Sequence, residues 1–106
     1  MKAITVATEN NGYFETLKES SMRYNYHLVV LGYEQEWKGF GWRLNLVLEY
    51  LKTLPSDEIV IVVDAYDVIF LRDSKELKEE FLKMNVKFLC GQLFLQDLLG
   101  QKIKLL

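Results

Sequence analysis

Five consecutive β-branched residues, Ile59 to Val63, fix the kind of sheet this chain can make. A half-exposed strand alternates apolar with polar residues, whereas a strand apolar at every position must be covered on both faces, as in a parallel sheet between helices. The run is therefore expected to be a central parallel strand. It ends abruptly in charge: in VVDAYDVIF, Val62 to Phe70, two carboxylates interrupt the most apolar stretch of the sequence. A buried acid is costly unless it is paired, hydrogen-bonded or metal-bound, so Asp64 and Asp67 require a compensating partner.

The rest of the chain supplies the other parts of such a sheet. Lys2 to Thr8 reads as a buried strand that ends in the turn-forming Glu9-Asn10-Asn11-Gly12. Tyr13 to Arg23 fits a helix, with Tyr13, Phe14, Leu17 and Met22 apolar and Glu15, Lys18 and Glu19 solvated. Tyr26 to Leu31 is again strand-like and gives way to GYEQEWKGFG, a segment with three glycines and three large aromatics. Trp42 to Leu54 is the best helix, with Leu44, Val47, Leu48 and Leu51 on one face, Arg43, Asn45, Glu49 and Lys52 elsewhere, and Pro55 as the stop. After the β-branched strand, Ser74 to Met84 is expected as a helix capped by Ser74, although the acid of a capping box is displaced by one position. Val86 to Cys90 is the last expected strand. This alternation predicts an α/β, Rossmann-like fold: a mostly parallel sheet between helices, joined by right-handed crossovers. Ligands bind such sheets beyond the carboxyl ends of the strands, where Thr8, the Gly32 loop and Asp64 to Asp67 all fall.

Composition narrows the partners. The 106 residues suffice for one domain with a core, and 13 basic against 15 acidic residues leave no basic footprint for nucleic acid. The first six or so residues are too short an apolar stretch for a signal peptide, and no run approaches the roughly 20 residues needed to span a bilayer. A soluble, cytoplasmic protein is the expectation. Cys90, the single cysteine, lies in an apolar segment and is expected in the core.

At the rim, Asp64 and Asp67 leave a strand end three positions apart and can face one crevice. Hard cations take carboxylate oxygens, and a magnesium or manganese ion held by one or two carboxylates keeps sites for water and substrate phosphates. The alternative is that Asp64 caps the turn through backbone N–H groups while Asp67 faces solvent. Trp37 has the shape to stack on a base and equally to lid the core. Arg43, at a helix start that favours anions, could reach a diphosphate, though such arginines are more often solvated surface groups. Tyr66 is either a site residue or packing, and His27, the only histidine, is expected to be structural. No serine-histidine-acid triad can be assembled, and Gly39 and Gly41 do not make a GxxxxGK phosphate loop.

TVAT at Thr5 to Thr8, EQEWKGFGWR at Glu34 to Arg43 and VVDAYDVIF together resemble the first half of the glycosyltransferase domain of procollagen lysyl hydroxylases and related collagen glucosyl- and galactosyltransferases. The resemblance runs from about Lys2 to about Leu89 and implies a GT-A type domain, a three-layer sandwich incomplete at its C-terminus. It implies a UDP-sugar donor, with Mn2+ (or Mg2+) bridging the acids to the diphosphate. Asp64 and Asp67 match the metal-binding acids, Tyr66 the aromatic that contacts the nucleotide, Val6 and Thr8 the strand positions by the uridine, Trp37 the loop tryptophan near it, and Arg43 a basic position near the phosphates. It implies a hexose passed to a hydroxyl acceptor, a collagen-like hydroxylysine in the family; no residue is assigned as catalytic.

The chain departs from that pattern at its end. Residues 1–90 correspond to the nucleotide-sugar-binding half, whereas 91–106, GQLFLQDLLGQKIKLL, form an atypical apolar tail, and no histidine follows His27 to complete a metal shell. A frameshift or early stop is one expectation; packing of the tail against a second copy or a completing chain is another. The rivals to an active transferase are a truncated half-domain that binds nucleotide without turnover and a phosphatase or receiver-like module using the acids with magnesium, which the aromatic EW loop fits less well.

Overall fold

The computed structural model describes residues 1–85 and shows an α/β fold of six elements. Strand β1 (Lys2–Val6) leads to helix α1 (Phe14–Arg23), β2 (His27–Leu31), α2 (Phe40–Leu51), β3 (Val60–Val62) and α3 (Ser74–Lys83). The strands form one parallel sheet in the order β2-β1-β3, with Lys2 opposite His27 on one side and Val60 on the other. The expected strand Val86 to Cys90 and the tail lie outside the described residues. Among the described strands β1, not the β-branched run, holds the central place: Ala3 to Val6 are all buried, whereas Val60 and Val62 are half-buried. The run signals coverage of both faces, and it has that; its place in the sheet is set by which strands flank it.

From β1 the chain steps to β2, then returns past β1 to β3. Right-handed crossovers in opposite directions put α1 and α2 on opposite faces, and the packing agrees. Ala3, Ile61 and Val63 join Leu17 of α1 and Leu77 of α3 in one core. Ile4, Val6 and Val62 meet Val47 of α2 in the other. The two-residue alternation of strand side chains thus feeds two helical layers and makes a three-layer sandwich. Each large side chain enclosed this way, Phe14 or Leu17 for instance, contributes about 2 kcal/mol through burial. No helix among the described residues is long and apolar enough to cross a membrane.

Two helices differ in detail from the sequence expectation. In α2 the inward stripe is Arg43 and Val47 with Trp42, Leu46, Tyr50 and Leu51, while Leu44 and Leu48 of the expected face are largely exposed. The helix is apolar on most sides, so periodicity alone leaves its face ambiguous, and bulk decides. Gly32, at φ +75°, lets Trp42 and Leu46 come so close that an added Cβ would lie 3.0 and 3.1 Å from them. In α3 the cap is Asp73, one residue earlier than expected, whose carboxylate accepts from Lys75 N–H at 2.9 Å. Ser74 instead donates to the Asn25 carbonyl at 2.8 Å, and Glu76 now occupies the third helical position that a capping box prefers. The Lys75 N–H bond, aided by one from Asn25, holds the Asp73 carboxyl below the usual carboxylate range.

Tyr26 stacks on Phe70, ring centroids 3.8 Å apart, and its buried hydroxyl has no hydrogen-bond partner. Burial, then the nearby charges of Asp73 and Glu76, push its ionisation far above the ordinary tyrosine range. Tyr26→Phe keeps the stack and removes an unsatisfied polar atom, so it should stabilise the fold by about 1 kcal/mol near neutrality. Because the folded-state value is raised, the native hydroxyl stays neutral while the unfolded one ionises, and wild-type stability is lost as pH rises above about 10. Urea unfolding at several pH values tests this: the variant's advantage should widen in alkali, and parallel curves for the two proteins would refute the assignment.

Candidate functional site

The carboxyl ends of β1 and β3 lie side by side where the strand order reverses, the position at which open α/β sheets bind ligands. The loops leaving these two strands are fastened to each other. Thr5 donates its hydroxyl to the Val63 carbonyl at 2.8 Å, and Val63 N–H donates to the Ile4 carbonyl at 3.0 Å. Farther out, the Tyr66 phenol oxygen accepts from the Thr8 and Glu9 N–H groups at 3.1 and 3.4 Å, while its carbonyl accepts from Tyr13 N–H at 2.9 Å. The loop after β2 joins them through Glu34 N–H, which donates to the Thr8 carbonyl at 2.9 Å. Beneath the rim, buried Phe14 is stacked with Tyr33 at 5.8 Å and meets Tyr66 edge-on at 6.5 Å. Gly12 allows the closest approach: at φ +52° its absent Cβ would sit 2.6 Å from the Tyr66 carbonyl oxygen.

Asp64 has a specific partner in the fold. Arg43 Nη2 donates to Asp64 Oδ1 at 2.6 Å, with the two side chains 11 % and 24 % exposed. Arg43 is therefore not the solvated group that base expectation favours; it is drawn inward because it shares the helical stripe of Val47. Its Nε is buried without a hydrogen-bond partner, and its guanidinium also lies 5.8 Å from the Phe40 ring centroid. The helix that carries it, α2, has Gly39 as cap, no side-chain cap bond and no acid in its first turn, so positive potential collects at that end.

The remaining predicted positions divide. Thr8 and Tyr66 are brought together by their hydrogen bond, and Asp67 is exposed on the same loop as Asp64. Val6 turns its side chain into the core against α2, so only its backbone faces the strand ladder and loop. Trp37 is 48 % exposed and packs edge-on against Trp42 at 5.5 Å, which fits both a stacking surface and a lid. His27 is exposed at the start of β2, at the opposite end of the strands from the rim. The sequence names Arg43 and Asp64 separately but not their pairing, and it gives Gly12 only as a turn former and Phe14 only as an apolar helix position. The four-residue spacing from Arg43 to Val47 was the available signal for the first.

Among the described residues no three His, Cys, Asp or Glu side chains form a metal-holding group. Two carboxylates of one loop are nonetheless the hard donor set with which magnesium or manganese is held when phosphates and water supply the rest. The unsatisfied Arg43 Nε beside Asp64 is a donor that a phosphate oxygen would satisfy. The residues therefore fit a cation that arrives with a diphosphate better than a cation held by protein alone.

A parallel α/β sheet with an acidic loop at its reversal point defines a Rossmann-like domain. Comparison with known proteins narrows it further: the sequence profile of the PLOD GT domain matches residues 1–93, and the chain belongs to that family as a glycosyltransferase-like domain. Procollagen-lysine,2-oxoglutarate 5-dioxygenase 2 of Mus musculus is 32% identical over 94 residues, covering 79% of this chain and 13% of the relative. The multifunctional procollagen lysine hydroxylase and glycosyltransferase of Caenorhabditis elegans is 30% identical over 90 residues, 76% of this chain and 12% of the relative. The human form of the mouse protein is 31% identical over 94 residues, with the same coverage as the mouse one. The chain thus spans only a small fraction of the length of the curated relatives it matches.

Proposed function

We propose that this domain binds the UDP moiety of a UDP-sugar together with manganese or magnesium at the rim where β1 and β3 end. In this reading Asp64 and Asp67 hold the cation, Arg43 binds the diphosphate, and Thr8, Tyr66, Trp37 and the backbone of Val6 border the nucleotide. The reaction it serves is transfer of a hexose to a hydroxyl, with a collagen-like hydroxylysine as acceptor. When bound, the cation neutralises charge on the departing diphosphate. Arg43 adds a fixed positive charge at the same place, and the bonds that tie Tyr66 to Thr8 keep the nucleotide's surroundings from rearranging. The reading is carried by one observation, the Arg43–Asp64 pair at the sheet's reversal point, in a chain of the PLOD GT domain family.

A second reading is a domain that binds nucleotide without turnover or is completed by another chain, since two acids suffice to hold a cation that arrives with a nucleotide diphosphate. Calorimetric titration with UDP, with and without manganese, together with a UDP-sugar hydrolysis assay, separates the two. Manganese should tighten UDP binding by about tenfold or more. Turnover supports the transferase, binding without turnover the second reading, and failure to bind UDP under either condition removes both.

A further inference from the structure

The two groups assigned to the cation and to the diphosphate are, in this structure, bonded to each other. Arg43 Nη2 lies 2.6 Å from Asp64 Oδ1 in a largely enclosed pair, and Arg43 sits in the first turn of a helix with no side-chain cap and no first-turn acid. We propose that this ion pair gates the site: a divalent cation is admitted as its complex with a nucleotide diphosphate and is resisted when it comes alone. The inference rests on the function proposed above.

The reason is electrostatic. A lone cation approaching Asp64 meets a guanidinium already on the carboxylate and the positive end of α2 behind it, so it must displace a like charge that has nowhere to go. A diphosphate changes both terms. Its oxygens give the guanidinium, including the buried Nε that has no partner, an alternative set of acceptors, and so release Asp64 toward the metal. Each ligand then strengthens the other by the same factor, because the two share one switchable bond. The pair also keeps Asp64 compensated when neither ligand is present.

The test is titration of the full chain with Mn2+ alone and with Mn2+ plus UDP, comparing wild type, Arg43→Lys and Arg43→Met, with far-UV circular dichroism to check folding. Wild type should bind Mn2+ alone weakly and gain about tenfold or more from UDP. Arg43→Met should bind Mn2+ alone at least about fivefold tighter than wild type, with a correspondingly smaller gain from UDP. Arg43→Lys, which keeps the charge but loses the fork, should fall between them, and it decides the matter if the methionine variant does not fold. If the folded variants bind Mn2+ alone no better than wild type while wild type still binds Mn2+ with UDP, the gate is wrong and the site stands. If wild type shows no Mn2+-dependent UDP binding, the site assignment fails and the gate fails with it.

Discussion

Asp64→Ala should abolish manganese-dependent UDP binding and also lower the stability of the fold, two effects that separate cleanly. The binding loss follows from removing one of only two carboxylates assigned to the cation. The stability loss has a different origin: the variant leaves a guanidinium that is 11 % exposed without its carboxylate partner. Breaking a fully buried pair costs about 3–5 kcal/mol, and the partial exposure of this one reduces the expected figure to about 2 kcal/mol. For a domain of this size that is a fall in Tm of roughly 8–15 °C. Thermal unfolding and UDP calorimetry on the same preparation check both parts. A folded Asp64→Ala protein that still binds UDP more tightly with manganese would falsify the metal assignment. An unchanged Tm would mean that the pair contributes nothing net.

Gly12→Ala should be strongly destabilising although it changes a surface residue. Gly12 is solvent-exposed, and position alone suggests tolerance. Two constraints say otherwise. Its φ of +52° is one that L-residues enter at a cost of about 1–2 kcal/mol, and the new methyl would lie 2.6 Å from the Tyr66 carbonyl oxygen. That oxygen is backbone, held by Tyr13 N–H, so it cannot swing aside as a side chain could. Relief requires the loop after β1 to part from the loop after β3, at a combined cost of about 3 kcal/mol. Gly39 is a different case: no atom lies within 4 Å of an added Cβ, but its φ of +97° and ψ of −177° fall in a region that only glycine enters readily. Denaturant unfolding should show the full loss of about 3 kcal/mol for Gly12→Ala; a loss of only about 1–2 kcal/mol would show that backbone conformation, rather than the clasp around Tyr66, sets the cost.

Much of the layer structure was legible because it rests on patterns that neighbouring residues set. The β-branched runs and the helical spacings place six elements within a few residues of where they fold. The family was legible from three short motifs, and the profile match bears it out. What the sequence concealed was long-range choice. In α2, apolar residues lie nearly all round the helix, and only the contact of Trp42 and Leu46 with Gly32 reveals which side turns in, and hence that Arg43 goes with it. The apolar run around Asp64 shows that this acid needs a partner, but nothing local names a residue 21 positions away. Helix α3 taught a smaller lesson: Asp73 and Ser74 are both good caps, and the choice between them was made by Tyr24 and Asn25, which engage Ser74 from another element.

The sheet order also governs how the chain can assemble. Strand β1 precedes the other two described strands in the chain, yet one of its edges pairs with β2 and the other with β3, whose residues Val60 to Val62 come much later. Until they arrive, the most buried strand of the domain exposes a row of unpaired N–H and C=O groups, a template for another chain. Parallel pairing of this kind is slow, because a long loop must close before any contact repays it. The same β-branched run that announces the fold is therefore what closes it, and the acids that follow reach the rim only once the first strand has been sealed on both sides.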